Sequence, residues 1–347
     1  MQTKLVYVLT CEEDDTYIEQ ALISIWSARY HNPQSIIILI VDDLTRKLLV
    51  GMRAEVLKYV TDCIVIDLPL EMRMRERSRY IKTSVRKIIK GDFLFIDTDT
   101  IICRSLAEVD NLSIEIGAVL DSHLYVTEYP EYLYSFLKSR LDKIDVDISF
   151  VKSYFSSGVM YVKDTLMTHK LYELWHQNWR EGLSNGFIGD QPYLLKSDQI
   201  LGGVITEISR NWNTVMYTYP KWIKQAYILH FSPHKNMSFI FDTNFLKLLR
   251  NEGLDNYKEI IVKHQLTYIA HIWQNPFKSY INMYYGFKLI EKYSPLSLST
   301  YLINTHRQDL IKVCVLEMKL YFLAPILVFI FDIWYSLKKM MKLKLKL

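Results

Sequence analysis

The sequence predicts an α/β fold built on a doubly wound, mostly parallel (Rossmann-like) sheet. Three observations predict it. The runs SIIILIVDD and GDFLFIDTD are short, aliphatic and aromatic without alternation, which is the composition of strands buried on both faces. Segments with helical spacing separate such runs. Both runs end in carboxylates, Asp42 and Asp43 in one, Asp97 and Asp99 in the other. Carboxylates cannot lie within that core, and in open α/β sheets ligands bind just beyond the carboxyl ends of the strands.

Taken in order, Lys4 to Leu9 reads as a first strand, followed by the acidic loop TCEEDDTY. Ile18 to Tyr30 has apolar residues at helical spacing, and His31-Asn32-Pro33 stops it. SIIILIVDD is a second strand, Leu44 to Val60 a second helix, and Cys63 to Leu68 a third strand. Arg73 to Lys90 is a basic helix leading into the Asp97 strand. This alternation implies parallel neighbours joined by right-handed crossovers. It loosens beyond residue 113. Residues 114–121 and 154–162 read as strands, the latter with Gly158 at its centre, where backbone can approach a ligand closely. Between them lies an irregular, Tyr-rich region with short helices. Leu166 to Trp179 is an amphipathic helix, NGFIGDQPYLL opens another, and AYILHFS is a late strand. From about residue 240 the pattern is helical.

The chain has 347 residues, enough for one large domain with an appendage or for two domains. Half of it is hydrophobic and 14% aromatic, so a sizeable core is expected. Cys11, Cys63, Cys103 and Cys314 are dispersed, without C-x-x-C or zinc spacing, and read as reduced thiols of a cytosolic protein. MQTKLVYVLT has too short an apolar run for a signal peptide. The net charge of +4 is local: residues 338–347 hold five Lys and no acid. Taking these five from the 42 basic residues leaves 37 against 38 acidic, a net of −1. A near-neutral body argues against nucleic acid as the main partner, which calls for a basic face on the folded domain.

Asp97 and Asp99, one residue apart at a strand end, offer two hard oxygen donors to one divalent cation that also holds phosphate oxygens. A lone D-x-D recurs by chance, and by itself reads as an Asp-rich turn. Four further segments join it. SSGVMYV carries Gly158, and GDQPYLL puts Asp190 and Gln191 at a helix start, near the positive end of its dipole. SRNWNTV carries Asn211, Trp212 and Asn213, and LHFSPHK ends a strand in His230, with Lys235 five residues on. Singly, each has a plainer reading: Asp190 as a helix N-cap, His230 as a satisfied core histidine, Trp212 as core and Lys235 as a solvated charge.

As an ordered set over roughly residues 3–240, these segments resemble glycosyltransferase family 8, retaining enzymes of the GT-A fold. The resemblance rests on the acidic loop ending in Tyr17, RYIKTSVRK, DTD, SGVM, GDQ, NWN and the late His. It implies Asp97, Asp99 and His230 as ligands of Mn²⁺, with Mg²⁺ as the alternative ion; mixed oxygen and imidazole donors suit Mn²⁺ better than Ca²⁺. It implies Thr10, Asp14 and Tyr17 as uridine contacts and Lys82 as a donor phosphate or sugar contact, with Thr98 and Gly158 in the same donor-binding set. It implies Asp190 and Gln191 beside the reacting sugar. The end of the pattern departs from the family, which has a Gly after the late His and ends in Lys-Pro-Trp. HFSPHKNMS has Ser232-Pro233, no Gly, no Pro-Trp after Lys235 and a spacing one residue shorter, so the resemblance carries Lys235 as a diphosphate contact only loosely, with His234 as the alternative inward-pointing group.

The reaction so implied is metal-dependent transfer of a hexose from a UDP-sugar to a glycan or lipid-linked hydroxyl, with retention, in surface polysaccharide or lipopolysaccharide synthesis. Retention proceeds either through a carboxylate nucleophile or by front-face attack, and the sequence leaves both open. A sugar nucleotidylyltransferase would need a Gly-rich loop after the first strand, and TCEEDDTY has no Gly. A catalytically inactive, membrane-bound nucleotide-sugar-binding scaffold would be marked by loss of Asp97, Asp99 or His230, and all three are present.

Residues 1–240 are thus expected to form the transferase domain, 241–310 a helical extension, and 311–347 a membrane-association tail. LYFLAPILVFIF (320–331) is charge-free but shorter than a span and contains Pro325. Trp334, Tyr335 and the five Lys that follow suit an anionic headgroup layer. The expectation is a cytoplasmic protein, peripheral on the inner face of a membrane.

Overall fold

The computed structural model describes residues 1–129, 131–183, 186–215, 225–231, 243–259 and Ile261. Four parallel strands form the first half of the sheet: β1 (Lys4–Leu9), β2 (Ile37–Asp42), β3 (Asp62–Ile66) and β4 (Phe93–Ile96), in the order β3-β2-β1-β4. Register pairs Leu5 with Ile37, Ile38 with Asp62, and Leu5 with Leu94. The crossovers carry α1 (Tyr17–His31), the short α2 (Asp43–Leu48) and α3 (Met74–Ile88).

The pleat sends alternate residues to opposite faces, and here both faces are covered. Leu5, Tyr7, Leu9, Leu39, Val41, Leu94 and Ile96 pack on the α1 side with Ile18, Leu22 and Ile25. Val6, Val8, Ile38, Ile40, Phe93 and Phe95 pack on the other side with Ile81 and Val85 of α3. That is why β2 and β4 tolerate no polar residue before their terminal carboxylates. β3, at the edge, is only partly covered.

Beyond β4 the chain turns through the DTD into β5 (Thr100–Ile102) and later enters β6 (Ile116–Leu120). β7 (Phe155–Val162) lies antiparallel between β4 and β6, and β8 (Thr206–Glu207) adds parallel to β6, completing seven strands. α4 (Glu131–Leu141), α5 (Leu166–Leu183) and α6 (Asp190–Ile200) accompany this half. Trp175 and Trp179 of α5 are fully buried and donate their indole N–H groups to the carbonyls of Asp190 and Ile188, which fixes the start of α6. A second, three-stranded sheet has the order β5-β10-β9, with β9 (Thr214–Val215) and β10 (Ile228–His230). Pairing of His230 with Thr100 across it brings the late histidine back to the DTD.

The structure corrects two expectations. The helix expected over Leu44 to Val60 is divided: α2 ends at Leu48, and a 3-10 stretch runs from Gly51 to Lys58. Gly51 sits at φ 54°, a left-handed conformation that stops a helix and that glycine adopts without steric cost. β5 had no sequence signature, because three residues are too few to show a period. After residue 240, α7 (Thr243–Glu252) packs Phe245, Leu246 and Leu249 into the core on the α1 side. The tail, 311–347, and most of 241–310 lie outside the described residues. Among the described residues no helix is long and apolar enough to cross a membrane.

Candidate active site

β1 connects to β2 on one side, while β4 flanks it on the other. Strand order therefore reverses between β1 and β4, and a crevice opens at their carboxyl ends. A cavity of about 510 Å³ occupies it, lined by Thr10, Tyr17, Met74, Arg75, Ser78 and Arg79, by the whole DTD, by Arg140, and by Phe187 to Asp190. A larger cleft of about 950 Å³ between α3 and α5 is lined by Tyr80, Thr83 and His176 among others; none of the sequence-predicted site residues faces it, so it is not the site.

The DTD is a turn pinned at both ends. Asp97 N–H donates to the Gly158 carbonyl at 2.8 Å, Thr100 Oγ1 donates to the Asp97 carbonyl at 2.9 Å, and Phe231 N–H donates to the Asp99 carbonyl at 3.0 Å. Carboxylate oxygens of Asp97 and Asp99 and a ring nitrogen of His230 lie within 4.8 Å of one another. A Cβ at Gly158 would strike the His230 ring and stand 2.9 Å from Asp97 Oδ2. Gly158 thus makes room for the carboxylate and the imidazole to converge.

His230 itself carries the test of whether a cation fits. Its Nδ1 pairs with Asn213 Oδ1 at 2.9 Å, while Asn213 Nδ2 donates to Ser156 Oγ at 3.0 Å. The amide oxygen can only accept, so Nδ1 carries the hydrogen and Nε2 is left to hold either a proton or a cation. That Nε2 is buried, makes no hydrogen bond, and stands 3.3 Å from Asp99 Oδ1. A lone pair facing a carboxylate is repulsive unless a proton on Nε2 or a cation lies between them, and Asp99 favours either. Two oxygen donors, one oriented imidazole and an amide behind it fit a divalent ion of the Mn²⁺ or Mg²⁺ kind. Burial opposes charge on His230, but Asp99 and Asp97 raise its pKa. Burial likewise raises that of Asp97, with Lys82 opposing.

Beside this centre lies a second network. Lys82 Nζ is 3.1 Å from Asp97 Oδ1 and 3.5 Å from Asp190 Oδ2. Arg79 Nε is 3.2 Å from Asp190 Oδ1, and Ser157 Oγ donates to Asp190 Oδ2 at 2.9 Å. Burial works against the Asp190 charge, yet Lys82 and Arg79 outweigh it and hold the carboxyl well below the usual range. Both of its oxygens are engaged, so Asp190 fixes the two cations rather than standing ready as a base. Gln191 accepts from Ser157 N–H at 3.5 Å and approaches Asp121, whose carboxyl is raised by burial.

Of the sequence-predicted residues, Thr10, Tyr17, Asp97, Thr98, Asp99 and Asp190 line the cavity, and Lys82, His230, Gln191 and Gly158 adjoin them. Asp14 is exposed and does not line it; the neighbouring Asp15 organises the loop instead, accepting from Glu12 N–H at 2.6 Å and Tyr17 N–H at 3.0 Å. Lys235 and His234 lie outside the described residues. The sequence reading did not place Arg79, Asn213, Ser157, Asp121 or Arg140 in the site. Asp121 had a signal, since it ends β6 as Asp97 ends β4. Ser122 and His123, which follow it, take left-handed φ of 53° and 56°, local strain of the kind that gathers at functional sites.

The mostly parallel sheet and the strand-end site are arranged as the GT-A resemblance implies. Residues 72–236 match the model for glycosyl transferase family 8. Among solved structures, the chain is similar to the bifunctional glycosyltransferase WbbM in its apo form, at 12% identity and TM-score 0.51, covering 76% of this chain and 52% of that one. It therefore spans about half of WbbM, and the likeness shows the fold alone. Mouse xyloside xylosyltransferase 1 (14% identity, TM-score 0.44, 67% of this chain and 98% of that one) is also similar. So is the galactosyltransferase LgtC, solved with donor and acceptor sugar analogues (15% identity, TM-score 0.46, 72% and 95%). No curated protein matches the sequence.

Proposed function

We propose that the chain transfers a hexose from a UDP-sugar to a hydroxyl of a glycan or lipid-linked acceptor, with retention, in surface polysaccharide or lipopolysaccharide synthesis. The observation that carries this reading is the convergence of Asp97, Asp99 and the buried Nε2 of His230 on one point at the end of β4. These three residues would hold Mn²⁺ or Mg²⁺, which when bound supplies Lewis acidity at the donor diphosphate. Lys82 and Arg79 add fixed positive charge at the same end of the cavity, and because Asp190 already holds them, they need little reorganisation when charge develops on the leaving group. Thr10 and Tyr17, on the β1 side, are assigned to the nucleotide; Thr98 and the Gly158 backbone to the donor; Asp190 and Gln191, at the start of α6, to the sugar. Tight engagement of Asp190 favours orientation of the sugar over nucleophilic attack by this carboxylate.

The test is a panel of UDP-sugars, with Mn²⁺, Mg²⁺ or chelator and no acceptor, followed by UDP release. One sugar should be hydrolysed in a metal-dependent way. Absence of metal-stimulated release from every sugar would remove the donor reading. Attachment to the cytoplasmic membrane face through 311–347 is part of the same proposal: the full chain should float with anionic vesicles and lose most binding in high salt, and a chain ending at residue 310 should not float.

A further inference from the structure

The loop between β1 and α1 is held from outside by two arginines that share one set of acceptors. Arg53 donates through Nε to Glu19 Oε1 at 3.1 Å, through Nη1 to the Glu13 carbonyl at 3.2 Å, and through Nη2 to the Asp15 carbonyl at 3.1 Å. Arg250 of α7 donates to Glu19 Oε1 at 2.9 Å, Glu19 Oε2 at 3.1 Å, the Glu13 carbonyl at 3.4 Å and the Asp15 carbonyl. Glu19 is 2% exposed, so the ion pairs are desolvated and directional. The Asp15 carboxylate, the Cys11 N–H bond to Thr45 Oγ1 and the Thr10 Oγ1 bond to the Met74 carbonyl add to the hold. The loop begins at Thr10 and ends at Tyr17, both of which line the cavity. Arg250 lies outside the segment 72–236 that matches the family.

We propose that Arg250 is a positioning residue for the donor: α7 clamps residues 13–15, and the clamp presets Thr10 and Tyr17 for the nucleotide. This rests on the donor-site reading. Without Arg250, Arg53 keeps its half of the hold and the rest of the ordering falls to the ligand, which weakens binding without altering the bound geometry. The effect belongs in affinity, not in turnover.

The experiment measures UDP affinity by calorimetry with Mn²⁺, and donor hydrolysis kinetics, for the full chain, Arg250→Ala, Arg250→Lys and Glu19→Gln. Amide exchange at Glu12 and Tyr17 is followed in each. Arg250→Ala should raise the UDP Kd and the donor KM by roughly five- to twentyfold, with kcat within about twofold and faster exchange at both amides. Arg250→Lys should recover part of the affinity, and it carries the test if the alanine variant does not fold. Unchanged Kd in folded Arg250→Ala, or a fall in kcat at unchanged Kd, would overturn the proposal. If the parent chain binds no UDP, the donor reading fails, and the clamp then stands or falls on the exchange of the two amides alone.

Discussion

β2 and β4 end alike in sequence and unlike in structure. IILIVD and FLFI are both completely buried, and both lead into a pair of carboxylates at the same edge of the sheet. At the end of β2, Asp42 is fully buried, caps α2 through Thr45 N–H at 3.2 Å, and pairs with the buried Arg77. Asp43 points outward to an exposed Lys47 at 3.4 Å. At the end of β4, Asp97 and Asp99 turn instead toward a cavity, an oriented imidazole and Lys82. Strand-end carboxylates therefore mark a place where ligands can bind, not a site. A site requires groups that converge on open space, as Asp97, Asp99 and His230 do at the cavity.

The comparison is tested most severely at Asp42. Asp42→Ala removes a cap and leaves Arg77 uncompensated in the core, so stability should fall by about 3–5 kcal/mol. The urea midpoint reads this. The double variant Asp42→Ala/Arg77→Met should recover much of the loss, because the orphaned charge and not the missing pair is the expensive part. At the other strand end, Asp99→Asn should leave the urea midpoint nearly unchanged and lower metal-dependent turnover by about 10²–10³. An Asp99→Asn protein that unfolds early but turns over normally would reverse the roles assigned to the two pairs.

The first half of the fold was legible because β1, β2 and β4 are buried on both faces and α1 and α3 are long. A run such as FLFI admits few other placements. Legibility failed where the determinants were short or conformational: nothing in TII marks β5, and the αL glycine at position 51 was read as helix. In the candidate site, Asp97, Asp99, His230, Asp190 and Lys82, singled out through the family resemblance, lie side by side. Residues whose role is to hold these were not singled out. Asn213 was noticed within NWN but had no assigned partner, because its bond to His230 depends on β9 and β10 lying side by side. Arg79 was one cation among several on a basic helix until α6 brought Asp190 to it.

Asn213→Ala sharpens the comparison at the supporting level. It frees the imidazole to turn and to take the other tautomer, and the cation should bind about 10–100-fold more weakly. Calorimetric titration of Mn²⁺ in the presence of UDP would show it. Equal affinity would mean that the ring is oriented by packing against Gly158 alone. Unlike Asp99→Asn, the variant should regain turnover at high metal concentration, since all three ligands remain.

The smallest effect is expected at Asp43, which makes it the cleanest contrast with Asp99. The two occupy the same edge of the sheet, and each is the second carboxylate of its pair along the chain. Asp43 stands in the first turn of a six-residue helix, where its charge meets the favourable end of a short dipole. Its partner Lys47 has a side chain 72% exposed, so the ion pair is solvated, costs side-chain freedom to form, and is screened by salt. Asp43→Asn keeps the shape and removes the charge. Stability should change by no more than about 0.5 kcal/mol, and the change should vanish at high salt. Metal-dependent UDP binding should be the same as in the parent. A fall in metal affinity for Asp43→Asn comparable to that of Asp99→Asn would mean that the cavity responds to the summed negative charge along the sheet edge. The same result for the two would then count against a coordinated ion held by Asp97, Asp99 and His230.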